Sequence, residues 1–370
     1  MNLNRRDVLQ FGSAAAAAST VGLSGCLSGD DDGATETGDE NDADGLDWDD
    51  GDYPSYGSWL PAAEDAMLVS IEWDALEDLE AFEAGDRGES SRNGSEDVEN
   101  ALVAADDGLL SLPTTGAMSG LQTLQLVDYS SRGLGRVVDA TDADSARDDL
   151  ARDDLETGLD RLLVVNGTIV CTGDVETDEL EAELTTSSFS YDPEFDPTDE
   201  IGEFAIYELD EAGVGATETF AVSPDAVVYS SGSDTSRSDV VRVVEAKTGE
   251  RNRFADEIER FGWLLETVGE GEIVFAQYGD DETDDSAETD DEPDAADGFA
   301  SALTFDGDGG ASAEAALVFT DGDGGESDVD EDEGFGHSAD DVEFGDENES
   351  QRGTVSATWD DLAATLETGD

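Results

Sequence analysis

Apolar residues in this chain fall in short runs set between long polar stretches. The run MLVSIEW, Met67 to Trp73, predicts a buried strand by its composition. Asp74, with Glu77 three residues on, reads as a capping box. The helix it opens carries Leu76, Leu79 and Phe82 on one face and stops at Gly85. LLVVNGTIVCTG predicts a hairpin, because Asn166 and Gly167 supply the two positive-φ positions that a type I′ turn demands. A short helix follows, with Leu180 and Leu184 one turn apart. FAVSPDAVVYSSG repeats that plan with its turn at Pro224 and Asp225. VVRVV then suits helix or strand, and Lys247 with Gly249 behind it favours a helix over 239–247. Phe254, Ile258, Phe261, Leu265 and Val268 lie on the stripe of one amphipathic helix, and EIVFAQY, ending at Tyr278, is the next strand.

Between Gly88 and Arg161, glycine and serine interrupt stretches that otherwise suit helix. Towards the C-terminus, FASALTF and AEAALVF are two strands joined by DGDGGAS. A further strand, TVSAT, precedes a closing helix with Leu362 and Leu366 on one face. The pattern V-S-x-x-W-D-x-L occurs at Val69 to Leu76 and again at Val355 to Leu362, which raises internal duplication against simple convergence. The expected fold class is α+β: antiparallel strands in hairpin-then-helix units, with helices laid on one face. The expected organisation is a leader over 1–26, a disordered acidic tether over 27–58, an α+β domain over 59–279, an acidic linker over 280–298, and a β-rich part over 299–370 packing on the same domain.

Composition changes the picture sharply. Against 97 Asp and Glu stand 16 basic residues, of which Lys247 is the single lysine, for a net charge of -81. Such a field repels phosphate backbones, so nucleic acid is excluded as a partner. Hydrophobic residues still make up 37% of the chain, and the amphipathic periodicities above argue against a wholly disordered acidic protein. A folded chain of this charge needs salt. At 1 M the Debye length is roughly 3 Å, short enough to suppress most carboxylate repulsion. The composition resembles that of proteins from extremely halophilic archaea.

The N-terminus reads MNLNRRDVLQFGSAAAAASTVGLSGC, with Arg5 and Arg6 followed by a weakly apolar stretch and then Cys26. A basic start, a short apolar middle and small residues before a processing point form a signal-peptide layout. NRRDVLQF resembles a twin-arginine export signal, although Asn4 and Val8 depart from its commonest form, and Leu23 to Cys26 resembles a lipobox. The resemblance, to haloarchaeal lipoproteins, implies export by the twin-arginine translocase, lipidation of Cys26, and a lipid anchor to the membrane on the extracellular face. The stretch from Leu27 to Ser58 holds twelve acidic residues and no basic one, which suits a tether spanning roughly 30 Å as a flexible coil.

Chemistry-bearing residues are scarce. With one histidine, His337, and one cysteine besides Cys26, Cys171, metal centres built on imidazole or thiolate have too few ligands. His337 lies in the acidic stretch EDEGFGHSADD and reads as solvated. Cys171, on the second strand of the first hairpin, reads as a small buried residue. No nucleophile elbow, phosphate loop or dinucleotide fingerprint occurs. The DGDGG runs at Asp306 and Asp321 fail as calcium loops, since Gly310 and Gly325 stand where a ligand is required. No cofactor is therefore expected, nor any assigned catalytic or metal residue. Asn93, Asn166 and Asn348 open glycosylation sequons, with Asn166 at a hairpin tip the most accessible. The function expected is a non-enzymatic envelope lipoprotein of a halophile that binds or scaffolds an extracellular partner. The alternatives are the solute-binding subunit of an importer, which predicts two α/β lobes around a cleft, and a secreted hydrolase.

Overall fold

The structure is a computed structural model, and it describes residues 53–73, 107–130, 158–185, 195–210, 217–231, 235–279, 296–306, 309–319, 335–347, 352–362 and 365. Cys26, Arg5, Arg6, Asn93, Asn348, Leu366 and the helix expected after Asp74 lie outside the described residues.

Twelve strands form one antiparallel sheet. They are β1 (Ala66–Glu72), β2 (Gly158–Val165), β3 (Thr168–Asp174), β4 (Asp196–Ile201), β5 (Phe204–Asp210), β6 (Thr217–Ser223), β7 (Ala226–Ser231), β8 (Ile273–Tyr278), β9 (Ala296–Phe305), β10 (Ala311–Phe319), β11 (Asp341–Glu347) and β12 (Arg352–Trp359). Their spatial order is β11-β12-β10-β9-β8-β1-β2-β3-β7-β6-β5-β4. The fold is α+β, as the periodicities predict. β1 sits at its centre, pairing with β2 on one side and β8 on the other, and from Ala66 to Ile71 it is apolar except for the fully buried Ser70. The turn at Asn166 and Gly167 has φ of 46° and 81°, and Asn166 further accepts the Met67 amide through Oδ1 at 2.8 Å.

Helices cover both faces of the sheet, not one. On the first face lie α1 (Gly108–Ser130) and α2 (Thr177–Thr185), over Val69, Val164, Phe220 and Phe275. On the second lie a short 3-10 helix (Ser55–Trp59), α3 (Ser236–Thr248), α4 (Phe254–Glu257) and α5 (Glu259–Val268), over Leu68, Leu163, Val228 and Val274. The reason is that the central strands are apolar on both sides, so either face left bare would expose a hydrophobic sheet to water.

Three further expectations change. Residues 53–58 belong to the fold, since Tyr56 is 1% exposed and its hydroxyl donates to the Gly269 carbonyl at 2.6 Å. β9 begins at Ala296 and pairs with β8, so the strands on either side of the acidic run share one sheet. The stripe from Phe254 to Val268 is two helices, broken at Ile258, which is extended (φ -111°, ψ 90°) and forms the N-cap of α5. Seven residues of straight helix would separate Phe254 and Phe261 by about 10 Å along the axis. With the break, their rings meet edge to face at 4.9 Å, and both touch Tyr278.

α1 shows why the preceding region resists sequence reading. Its contact face is made of small residues: a Cβ added at Gly116 would lie 2.6 Å from Phe275 Cβ, and one at Gly120 3.3 Å from Val69 Cγ1. The glycines that look like interruptions are where the helix axis approaches the sheet.

Candidate functional site

On the second face, α5 packs over β9 and β10 and reaches β12 at Arg352, which lies over the Trp263 ring at 4.9 Å and pairs with Glu259 at 3.4 Å. Beside it, among the described residues, the sheet forms an open groove of about 600 Å³. Registers place the side chains: Glu343, Ser356, Glu314 and Ala302 form one row across β11, β12, β10 and β9. Asp341, Thr358, Ser312 and Thr304 form the next. These residues share a face because neighbours across a sheet point the same way. Val268, Glu270 and Gly271 close one side, and Gly271 makes the approach feasible, since a Cβ there would sit 2.7 Å from Ala302 Cβ.

The groove is electrostatically one-sided. Glu270 is held in place by the Ser55 amide at 2.8 Å and by Arg161 at 3.7 Å. Arg161 also donates to Ser70 Oγ at 2.8 Å and pairs with Glu72, so its charge is spent on the central strands. Among the described residues no cation pairs with Glu314, Asp341 or Glu343. Loss of water around Glu314 raises its carboxyl above the ordinary carboxylate range. Hydroxyls at Thr304, Ser312, Ser356 and Thr358 supply both donors and acceptors beside these acceptors. The arrangement suits a cationic or hydrogen-bond-donating partner; no aromatic ring lines it.

The residues singled out from sequence are elsewhere. Asn166 is exposed at its hairpin tip. Cys171 is buried in the first-face core, and burial pushes its thiol up to about 12, which suits a packing residue and not a nucleophile. His337 is partly exposed beside Asp107, with Nδ1 3.9 Å from Oδ2. Although Ser338, His337 and Asp107 adjoin, they form no relay: Ser338 Oγ donates directly to Asp107 Oδ2 at 2.6 Å and accepts from Trp359 Nε1 at 3.1 Å. Asp107 instead joins two segments. Its carboxylate takes the Leu109 amide at the start of α1 and the amides of Gly336 and Ser338. Among the described residues no three His, Cys, Asp or Glu side chains are placed to hold a metal ion, and no helix is long and apolar enough to cross a membrane.

Sequence reasoning misses the groove because its carboxylates, Glu270, Glu314, Asp341 and Glu343, come from three separate segments in a chain where carboxylates are everywhere. One signal was present: Glu314 interrupts the otherwise small and apolar strand AEAALVF. Comparison with protein-family models, with curated proteins and with solved structures gives no match.

Proposed function

We propose that this chain is an exported surface protein of a high-salt habitat, anchored to the membrane through lipid on Cys26, which binds an extracellular partner and performs no catalysis. The observation that carries the binding role is the groove over β9, β10, β12 and β11, concave and lined by carboxylates and hydroxyls. A single sheet runs through the described residues where an importer subunit would bring two lobes. Arg5, Arg6 and the lipobox residues support the export route, and the net charge of -81 supports the habitat. Glycosylation at Asn93, Asn166 and Asn348 is compatible with that address.

One experiment on intact halophile cells tests location and binding together. Ser356→Cys is treated with a membrane-impermeant maleimide carrying a photoactivatable arm, in the full chain and in a Cys26→Ser background. Labelling without lysis, a discrete light-dependent adduct, and release of the Cys26→Ser chain into the medium are expected. Retention of Cys26→Ser at the membrane would defeat the lipid anchor, and labelling with no adduct would defeat the groove as a binding surface.

A further inference from the structure

The sheet repeats itself about its centre. Outward from β1 the order is β1-β2-β3-β7-β6, and outward from β8 it is β8-β9-β10-β12-β11. In each series three strands follow in sequence order and the next hairpin is added with its second strand inward. The registers agree residue by residue. From the central pair Val69 and Phe275, one row runs through Val164, Ile169 and Tyr229 to Phe220, and its counterpart runs through Ser301, Ala315 and Val355 to Phe344. Both rows end on a phenylalanine of the first face. The V-S-x-x-W-D-x-L echo does not mark this repeat, since it falls on β1 and β12, which are not counterparts.

The first half is extended by β5 and β4, and among the described residues the halves differ further in the cover on the second face. Over β6 and β7 lies α3, and the hydroxyl residues beneath it, Thr219 and Ser230, are buried, with Thr219 Oγ1 3.3 Å from Ser236 Oγ of that helix. Their counterparts on β11 and β12 are Glu343 and Ser356, which floor the groove. Among the described residues, the groove is thus the place that a helix fills in the other half. α3 also shows what such a helix looks like here. Its thirteen residues, SRSDVVRVVEAKT, carry Arg237, Arg242 and the single lysine, three of the chain's 16 basic residues. Arg237 reaches Asp199 at 2.9 Å and pairs with Glu208, on β4 and β5.

Resting on the binding role proposed above, we infer that the groove docks a helical segment of a partner protein, with small or branched apolar residues on one face and Arg or Lys beside them. Such a helix would lie across β10, β12 and β11 as α3 lies across β3, β7 and β6. Its cations would meet Glu314, Glu343 and Asp341. A second copy of this chain is the wrong occupant, because its own basic helix α3 is committed to its own sheet.

The chain supplies its own probe, a fluorescent peptide of the α3 sequence. Binding to the full chain is followed by anisotropy in 2 M NaCl, where screening removes all but contact-range attraction. Saturable binding is expected, weakened at least tenfold by the double variant Glu314→Lys, Glu343→Lys. The double variant Asp178→Lys, Glu181→Lys, placed on exposed positions of α2, changes the charge equally and should leave binding within twofold. A peptide with alanine at Arg237, Arg242 and Lys247 should bind at least tenfold more weakly. No saturable binding, or equal loss in both double variants, would overturn the docking site. The melting temperatures of the variants are measured alongside, to separate loss of binding from loss of fold. Location of the chain at the cell surface is untouched by either result.

Discussion

Gly116 is where a single absent methyl sets the distance between two elements. Only hydrogen occupies the space into which a Cβ would bring the Phe275 ring, and both residues are enclosed, so neither backbone nor ring has an easy way out. Inserting one carbon into packing of this density costs about 1–3 kcal/mol. Gly116→Ala should therefore lower the urea midpoint measured in molar NaCl, with an unchanged slope. Gly120→Ala, whose Cβ would come no nearer than 3.3 Å to a Val69 methyl, should cost less. Equal midpoints for wild type and Gly116→Ala would show that α1 sits further from the sheet. Lys247 makes a related point about charge. It lies 5.0 Å from the Trp59 ring centroid and donates to Ser58 Oγ at 3.2 Å. Burial and then the neighbouring Arg253 lower its pKa, against a smaller opposing pull from Asp225. The one lysine of an acidic surface is used as a packing residue, stem and cation together.

Among the elements, those specified by local chemistry were legible and those specified by distant contacts were not. Asn166 with Gly167 is a turn whatever surrounds it, and Gly249 at φ 77° stops α3 as its sequence position implies, so VVRVV is helix. The break at Ile258 leaves no such mark: the apolar period runs straight through it, and what divides the helix is the meeting of Phe254, Phe261 and Tyr278. The start of α1 was equally hidden. Asp107 caps it through Leu109 N at 3.1 Å, but the same carboxylate binds Gly336 N at 2.8 Å and Ser338, 229 and 231 residues away. Asp107→Ala removes a cap and strands several buried donors at once, a loss of about 2–4 kcal/mol. Amide exchange should then accelerate in the first turn of α1 and at Gly336 and Ser338 together. Acceleration in α1 alone would show that the 335–338 segment is held by other contacts. The groove belongs with these hidden features, since it exists only because registers four strands wide bring Glu314 and Glu343 to one face of the sheet beside α5.

At the scale of the whole molecule, charge decides where this fold is stable. The edge strand β4, DPTDEI, is almost wholly exposed and carries Pro197, and the opposite edge β11 carries Asp341, Glu343, Asp346 and Glu347. Both edges thereby resist pairing with another chain. The same carboxylates oppose compactness, because the few ion pairs seen, such as Arg237 with Glu208 and Arg251 with Glu245, leave most of the 97 acidic residues uncompensated. Surface pairs of this kind contribute at most about 1 kcal/mol each, far too little to offset the sum. Mobile counter-ions must do the rest. Lowering NaCl from 1 M to 0.01 M lengthens the Debye distance from roughly 3 Å to roughly 30 Å, which lets carboxylates across the whole molecule repel one another. The thermal midpoint should fall steadily over that range, and KCl should substitute for NaCl, because screening is indifferent to the cation. A midpoint that stays level, or that one cation alone restores, would mean that the sheet with its two buried faces holds the charge without help from salt, and would remove the physical ground for a high-salt habitat.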